Sequence, residues 1–283
     1  MKNIISKSII LVSLGIILTS CEKVIDIDLN NTESKVVIEA TITDAEGPYL
    51  VYISKTSDYF EPGEFPAISN GLVIISDDVG VVDTCIEIEP GVYQTNKIEG
   101  KPDSHYSLIV ETEGKTYTAE TYMPEKVELD SVTYMFTNAV SPESNDGYLI
   151  KCQFTDPMEQ DNYYRIKTYK NGDLFIETGN EIVIWDDILF DGVNADIPAK
   201  RGGKMFSLSD TIGVELLTID IKMFQYYTSL VNSLASGSSG MGSIGKSMII
   251  GAAAPTNPPS NLSSGAVGYF AAYCISKQSV IIE

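Results

Sequence analysis

Residues Gly240–Ser247 read GMGSIGKS and satisfy G-x-x-x-x-G-K-[ST], the spacing in which backbone N–H groups cradle phosphates and a lysine reaches them. Such a loop needs a strand before it and a helix starting at the Lys-Ser pair, so that the helix dipole points at the anion. Here a helical pattern precedes the match, and the following MIIGAAAPTNPP runs into prolines that end any helix within about two turns. Residues 248–283 hold no aspartate and one glutamate, the terminal Glu283, so no later carboxylate is at hand for Mg²⁺. The expectation is a Gly/Ser-rich loop with no nucleotide and no cofactor, in which Lys246 contacts a partner or ligand.

Other chemistry has little raw material. His105 is the one histidine, beside Tyr106 at a strand start and without a G-x-S-x-G partner, so no triad and no catalytic residue is expected. The acid-rich stretches SDDVG (76–80) and WDDILFDGVNAD (185–196) offer hard oxygen ligands of the kind Ca²⁺ takes. Neither fits the D-x-[DN]-x-[DN]-G loop, and turns require Asp and Gly anyway, so they read as turns and no metal site is expected. The loop SDYFEPGEFPAISN (57–70) sets Tyr59, Phe60 and Phe65 among prolines and acids. These aromatics either meet a partner or fold back over a core end. With Lys246, Asn257 and Asn261 of the 236–261 segment they are the contact candidates. Trp185 and the 16 tyrosines can stack on sugar rings, but in β-rich sequence they are expected half-buried in sheets.

The N-terminus fixes where this chemistry takes place. Lys2 and Lys7 flank an eleven-residue apolar run, Ser8–Leu18, followed by Leu18-Thr19-Ser20-Cys21. A bilayer-spanning helix needs roughly 20 apolar residues, so residues 1–20 read as a signal peptide. Small residues before a cysteine resemble a lipobox, which makes Cys21 the lipidation site and the acyl chains the membrane link. Losing both lysines moves the net charge from −20 to −22. Such a surface repels phosphate backbones, so no nucleic-acid partner is expected. Cys85, Cys152 and Cys274 follow no metal spacing and sit in strand-like surroundings. They read as small buried hydrophobes, with one disulfide between two of them left open in an exported chain.

The elements that must position these residues are mainly strands. After a tether at 21–34 come KVVIEATIT (35–43), YLVYISKT (49–56), GLVIIS (71–76), TCIEIE (84–89), GVYQTNKI (91–98), HYSLIVET (105–112) and KTYTAETYM (115–123). Turn signals bound them, and seven runs in about 90 residues predict an immunoglobulin-like β-sandwich over 35–124, with Tyr106 as its tyrosine corner. A second β-rich domain is expected over 125–283. It contains LDSVTYMF (129–136), GYLIKCQFTDP (147–157), NYYRIKTYKNGD (162–173), LFIETGNEIVIW (174–185) and DTIGVELLTI (210–219), with a KNGD hairpin turn. One helix is expected over 220–235, with Asp220 as N-cap, Phe224, Tyr227, Leu230, Val231 and Leu234 on one face, and Gly237 near its end. A Gly/Ser-rich loop follows at 236–247, and a final apolar run, GAVGYFAAYCIS, closes the chain.

The blocks CEKVIDIDL, VVIEATITDAEGPYLVYISKTSDYF, FPAISNGLVIISDDVG, PGVYQT, YTAETYMP, FTDPMEQDNYYRIKTYKNG, LFDG and NPPSNLSSGAVGYFAAY occur in this order. Together they resemble the Bacteroidota lipoproteins grouped as domain of unknown function 4249. The resemblance covers nearly the whole mature chain and is weakest over 238–254. It implies an outer-membrane lipoprotein, of a kind often encoded beside TonB-dependent receptors, and brings no catalytic residues. The expected function is therefore a non-enzymatic binding or accessory component working with a TonB-dependent β-barrel transporter in nutrient capture, lipid-anchored to the outer membrane on either its periplasmic or its surface-exposed face, the surface being favoured. The alternative is a structural or adhesive envelope protein without a transporter.

Overall fold

The computed structural model describes residues 34–56, 65–139, 145–175, 182–200, 205–237 and 258–283, so the expected leader, Cys21 and the phosphate-loop lookalike lie outside the described residues. The chain is mainly β, with 55% of it in strands and 6% in a single described helix, as the alternating runs predict. The strands are β1 (Val36–Thr43), β2 (Leu50–Lys55), β3 (Leu72–Asp77), β4 (Val82–Thr84), β5 (Ile86–Glu89), β6 (Val92–Gln94), β7 (Ser104–Thr112) and β8 (Lys115–Met123). They continue with β9 (Leu129–Thr137), β10 (Gly147–Thr155), β11 (Tyr163–Lys170), β12 (Asp173–Leu174), β13 (Val183–Asp186), β14 (Asn194–Pro198), β15 (Thr211–Ile219) and β16 (Val267–Ile281). Helix α1 spans Ile221–Gly237.

Alternation explains the layers. On β1 and β8 every second residue is buried, which a strand with one face on a core requires. One core joins Ile38, Ile42, Val51 and Ile53 of β1 and β2 to Val73, Ile75, Leu108, Val110 and Tyr117 of the sheet ordered β4-β3-β7-β8. A second core joins Ile150, Cys152 and Phe154 of the sheet β14-β10-β9 to Tyr164, Ile166, Ile212, Val214 and Leu216 of β11 and β15. Each is thus a two-sheet sandwich. The nine-stranded sheet β12-β11-β15-β16-β1-β2-β6-β5, with β13 added on β11, contributes to both.

That continuity comes from β16. Its first half runs parallel to β1, from Val37↔Val267 to Thr43↔Tyr273, and its second half runs antiparallel to β15, from Thr218↔Cys274 to Thr211↔Ile281. Phe270, Ala272 and Cys274 enter the first core, together with Leu262 and Ala266 from the segment before the strand. The alternate residues Tyr269, Ala271 and Tyr273 face the helix.

Local signals are realised where the backbone requires them. Asn171 and Gly172 take φ of 54° and 96° between β11 and β12, the left-handed pair of a two-residue hairpin turn. The buried Tyr106 phenol accepts the Lys101 N–H at 2.7 Å, the corner expected of a sandwich. Asp220 caps α1, its Oδ1 accepting the Met223 N–H at 2.7 Å. The buried face of α1 is centred differently from the expected one. Met223 is fully packed and Tyr226 joins Phe224 and Tyr227 in the cluster beneath the helix, because the sheet there offers aromatic partners. The alternation does not predict strand β14, since its core-facing Ala195 lies inside the acid-rich stretch 185–196 and Ile197 directly follows it. Cys85, Cys152 and Cys274 are buried, unpaired thiols, and burial pushes each up to about 12, the behaviour of small core residues. No helix among the described residues is long and apolar enough to cross a membrane.

Gly268 has φ +103°, and a Cβ there would lie 2.1 Å from the Ile38 carbonyl oxygen across the parallel pairing. Gly268→Ala therefore combines a strained backbone with a clash and is expected to cost more than about 2 kcal/mol. Urea unfolding of purified wild type and variant checks this.

Candidate functional site

Helix α1 lies on the sheet face made by β11, β15 and the first half of β16, and two depressions open around it. The larger, of about 720 Å³, sits at the helix start. Asp103, His105 and Tyr122 come from the ends of β7 and β8, Asp161, Asn162 and Tyr163 from the start of β11, and Asp220 and Lys222 from the cap and first turn of α1. Its carboxylates are partly engaged. Asp103 accepts the Tyr122 phenol at 2.8 Å, and burial with that carboxylate pushes Tyr122 up to about 12. Burial also raises the Asp220 carboxyl above its ordinary value, outweighing the Met223 N–H and the Lys222 charge. The His105 ring packs on Tyr122 with centroids 4.8 Å apart. Among the described residues no hydroxyl or thiol is hydrogen-bonded to that ring, so no nucleophile stands beside a base there.

The second depression, of about 410 Å³, runs along the side of α1. Its floor is set by strand register. Glu39 of β1 stands between Tyr52 of β2 and Tyr269 of β16, Thr41 lies opposite Ala271, and Thr43 lies opposite Tyr273. Successive odd-numbered residues of β1 and β16 share the face away from the sandwich core, so the row is a consequence of the two-residue strand period. Met223, Tyr226 and Tyr227 of α1 form the other wall. The Tyr226 ring lies 5.3 Å from Tyr227 and 5.0 Å from Tyr269, centroid to centroid. The Arg165 guanidinium lies 4.1 Å above the Tyr227 ring and bonds its hydroxyl, and the Lys167 ammonium sits 5.9 Å from the Tyr273 ring. Burial pushes the phenols of Tyr226 and Tyr227 up, and that of Tyr273 to about 12, so all are protonated donors at neutral pH.

A third feature comes from the acid-rich stretch read as a turn. Asp156, Asp187 and Asp191 bring carboxylate oxygens within 4.8 Å of one another. These are the described residues best placed to hold a divalent cation. Each also has a structural duty. Tyr164 O–H and Gly192 N–H bond Asp156, Asn162 N–H bonds Asp187 at 2.6 Å, and Glu159 N–H bonds Asp191 at 3.0 Å. The carboxylates thus tie the loop after β10 to the loop after β13. Burial, and then the charges of Asp187 and Asp191, hold the Asp156 carboxyl above its ordinary value.

Of the contact residues expected from sequence, Phe65 is 64% exposed. Asn261 spends its side chain on the chain itself, donating to the Phe270 carbonyl at 2.8 Å and to that of Glu120 at 3.2 Å, and accepting the Phe270 N–H at 3.0 Å. Tyr59, Phe60, Lys246 and Asn257 lie outside the described residues. The tyrosine groove was not foreseen as a unit, and the one local sign of it is the alternation Tyr269-x-Ala271-x-Tyr273.

A family profile described as domain of unknown function (DUF4249) matches residues 22–279, all but the first 21 and the last four residues. The chain belongs to this family. No curated protein matches the chain. The family match runs through β1 to most of β16, so both depressions and the carboxylate triad lie within its span.

Asp191 is exposed, and an asparagine there keeps an oxygen for the Glu159 N–H. Because Asp156 titrates above its unfolded value, its contribution to stability is full below the unfolded pKa and is lost as pH rises through the folded pKa. Asp191→Asn removes part of that repulsion. It is expected to gain about 0.5 kcal/mol at pH 7, a gain that fades as the Asp156 carboxyl protonates at low pH. Urea midpoints measured from pH 3 to 7 check the sign.

Proposed function

We propose that the protein is a non-enzymatic outer-membrane lipoprotein, anchored through acyl chains on Cys21, that captures a small ligand for a TonB-dependent β-barrel transporter. The observation that carries this reading is the tyrosine groove beside α1, an open, aromatic, hydrogen-bonding depression in the size range of small-molecule sites. The lipobox-like Leu18-Thr19-Ser20-Cys21 supports the anchor.

A second reading, a structural or adhesive envelope protein with no transporter, draws on a different feature. Met158, Ile188 and Leu189 are 68%, 77% and 84% exposed on the two loops tied by the carboxylate triad, an apolar tip that suits a protein surface.

Mild detergent extraction of native membranes separates the two readings. The capture reading expects a β-barrel of transporter size to co-purify with the chain, and recovery of the chain alone counts against it. Cys21→Ala is expected to move the protein out of the membrane fraction and abolish labelling by a radioactive fatty acid. Gene loss is expected to slow growth on one nutrient, whereas a general defect in surface integrity on every medium favours the structural reading.

A further inference from the structure

The groove beside α1 has chemistry specific enough to name a ligand class, and the inference deepens the capture reading on which it rests. Six tyrosines line it, but their ring faces are not equally free. Tyr49 is buried, with its hydroxyl donated to the Thr43 carbonyl at 2.8 Å. Arg165 covers Tyr227, Lys167 sits over Tyr273, and Tyr269 is buried against Tyr226. Tyr52, 46% exposed on β2, keeps its ring open, and Tyr226 on α1, although it packs on Tyr227 and Tyr269, is half-buried and keeps part of its surface accessible. Between them the floor presents the exposed Glu39 carboxylate and the half-buried Thr41, with the small Ala271 leaving a notch between Tyr269 and Tyr273.

We propose that this groove binds a neutral oligosaccharide, with one pyranose ring held between Tyr52 and Tyr226 and its hydroxyls bonded by Glu39 and Thr41. A pyranose has apolar C–H faces that suit an aromatic wall and an equatorial rim of hydroxyls that suits a carboxylate and a threonine on the floor. An anionic ligand meets the Glu39 charge on a chain of net charge −20. A quaternary ammonium needs several free ring faces, and two of the six are already occupied by the protein's own cations while Tyr49 is buried. A purely apolar ligand leaves Glu39 and Thr41 without partners.

The test is calorimetric titration of the full-length chain in detergent with neutral glucan, mannan and xylan oligosaccharides of two to six sugar units, with tetramethylammonium and an anionic uronic-acid oligosaccharide run in parallel. Saturable binding of at least one neutral oligosaccharide is expected. Tyr52→Ala and Tyr226→Ala should each weaken it about tenfold, Tyr52→Phe should keep it within about threefold, and Glu39→Gln should weaken it by several-fold. Tyr52 is a surface residue, so an unchanged thermal unfolding curve for Tyr52→Ala separates lost binding from lost folding. Absence of binding across the neutral panel, binding indifferent to both alanine variants, or selective binding of tetramethylammonium or the uronic acid each overturns the proposal. A β-barrel that still co-purifies with Tyr52→Ala leaves the capture reading standing whatever the sugars do, and sugar binding without any barrel partner removes the transporter while keeping the groove.

Discussion

The double pairing of β16 is the constraint on which the rest of the structure depends. One strand of 15 residues lends its first half to β1 and its second half to β15, so the two sandwiches share a continuous sheet. From Tyr269 to Cys274 six consecutive residues are buried, because one face meets the first core and the other meets α1. A strand covered on both sides has no solvent face and loses the alternation that normally betrays it. Phe270 alone, fully buried, contributes about 2 kcal/mol by the area it removes from water. The small Ala271 and Ala272 let backbone layers approach on both sides, and Gly268 admits the Ile38 carbonyl at the point where the parallel ladder begins.

A chain this acidic must also dispose of its carboxylates inside the fold, and it does so by using them as fasteners. Asp83, buried on β4, takes the N–H groups of Asn96, Lys97 and Ile98 on one oxygen, and these outweigh burial, leaving its carboxyl below the ordinary range. Asp156 has one hydroxyl and one amide donor and two charged neighbours, and there burial wins. Asp220 has the helix N-terminus and still titrates high. The number of donors aimed at each carboxylate, set against its burial and its like-charged neighbours, decides the sign. Acidity is therefore partly architectural here, and reading each acid-rich stretch as a turn misses that Asp187 and Asp191 close one loop against another.

What the sequence showed and what it concealed divide along the same line. Runs such as VVIEATIT and KTYTAETYM carry a period of two that only a half-buried strand explains, and the Asp220 cap and the Asn171-Gly172 turn are local chemistry with local signatures. Those features were legible. The partner of β16 was not, because Val37 and Val267 are brought together by the closing of the first core, and no spacing along the chain encodes that closure. The groove inherits the same difficulty. Glu39, Tyr52, Tyr226 and Tyr269 belong to three strands and a helix, and each taken alone is an ordinary strand or helix residue. The tyrosines are expected half-buried in sheets, as Tyr148 and Tyr163 are, whereas Tyr93 and Tyr106 are fully buried in the first core and Tyr52 is 46% exposed.

The groove is therefore tied to the fold at its most committed point. The residues of β16 alternate between the first core and the floor of the groove, so Phe270 and Ala272 cannot be repacked without moving Tyr269, Ala271 and Tyr273. Arg165 and Lys167 extend the argument to the second sandwich, since they project from β11 and hold Tyr227 and Tyr273 in place from that side. Two rings are thus fixed by cations and one by burial against its neighbour, while Tyr52 and Tyr226 keep accessible surface. The floor is held from both sandwiches, so the pyranose proposed for the groove would meet side chains already fixed there, with less side-chain entropy left to lose.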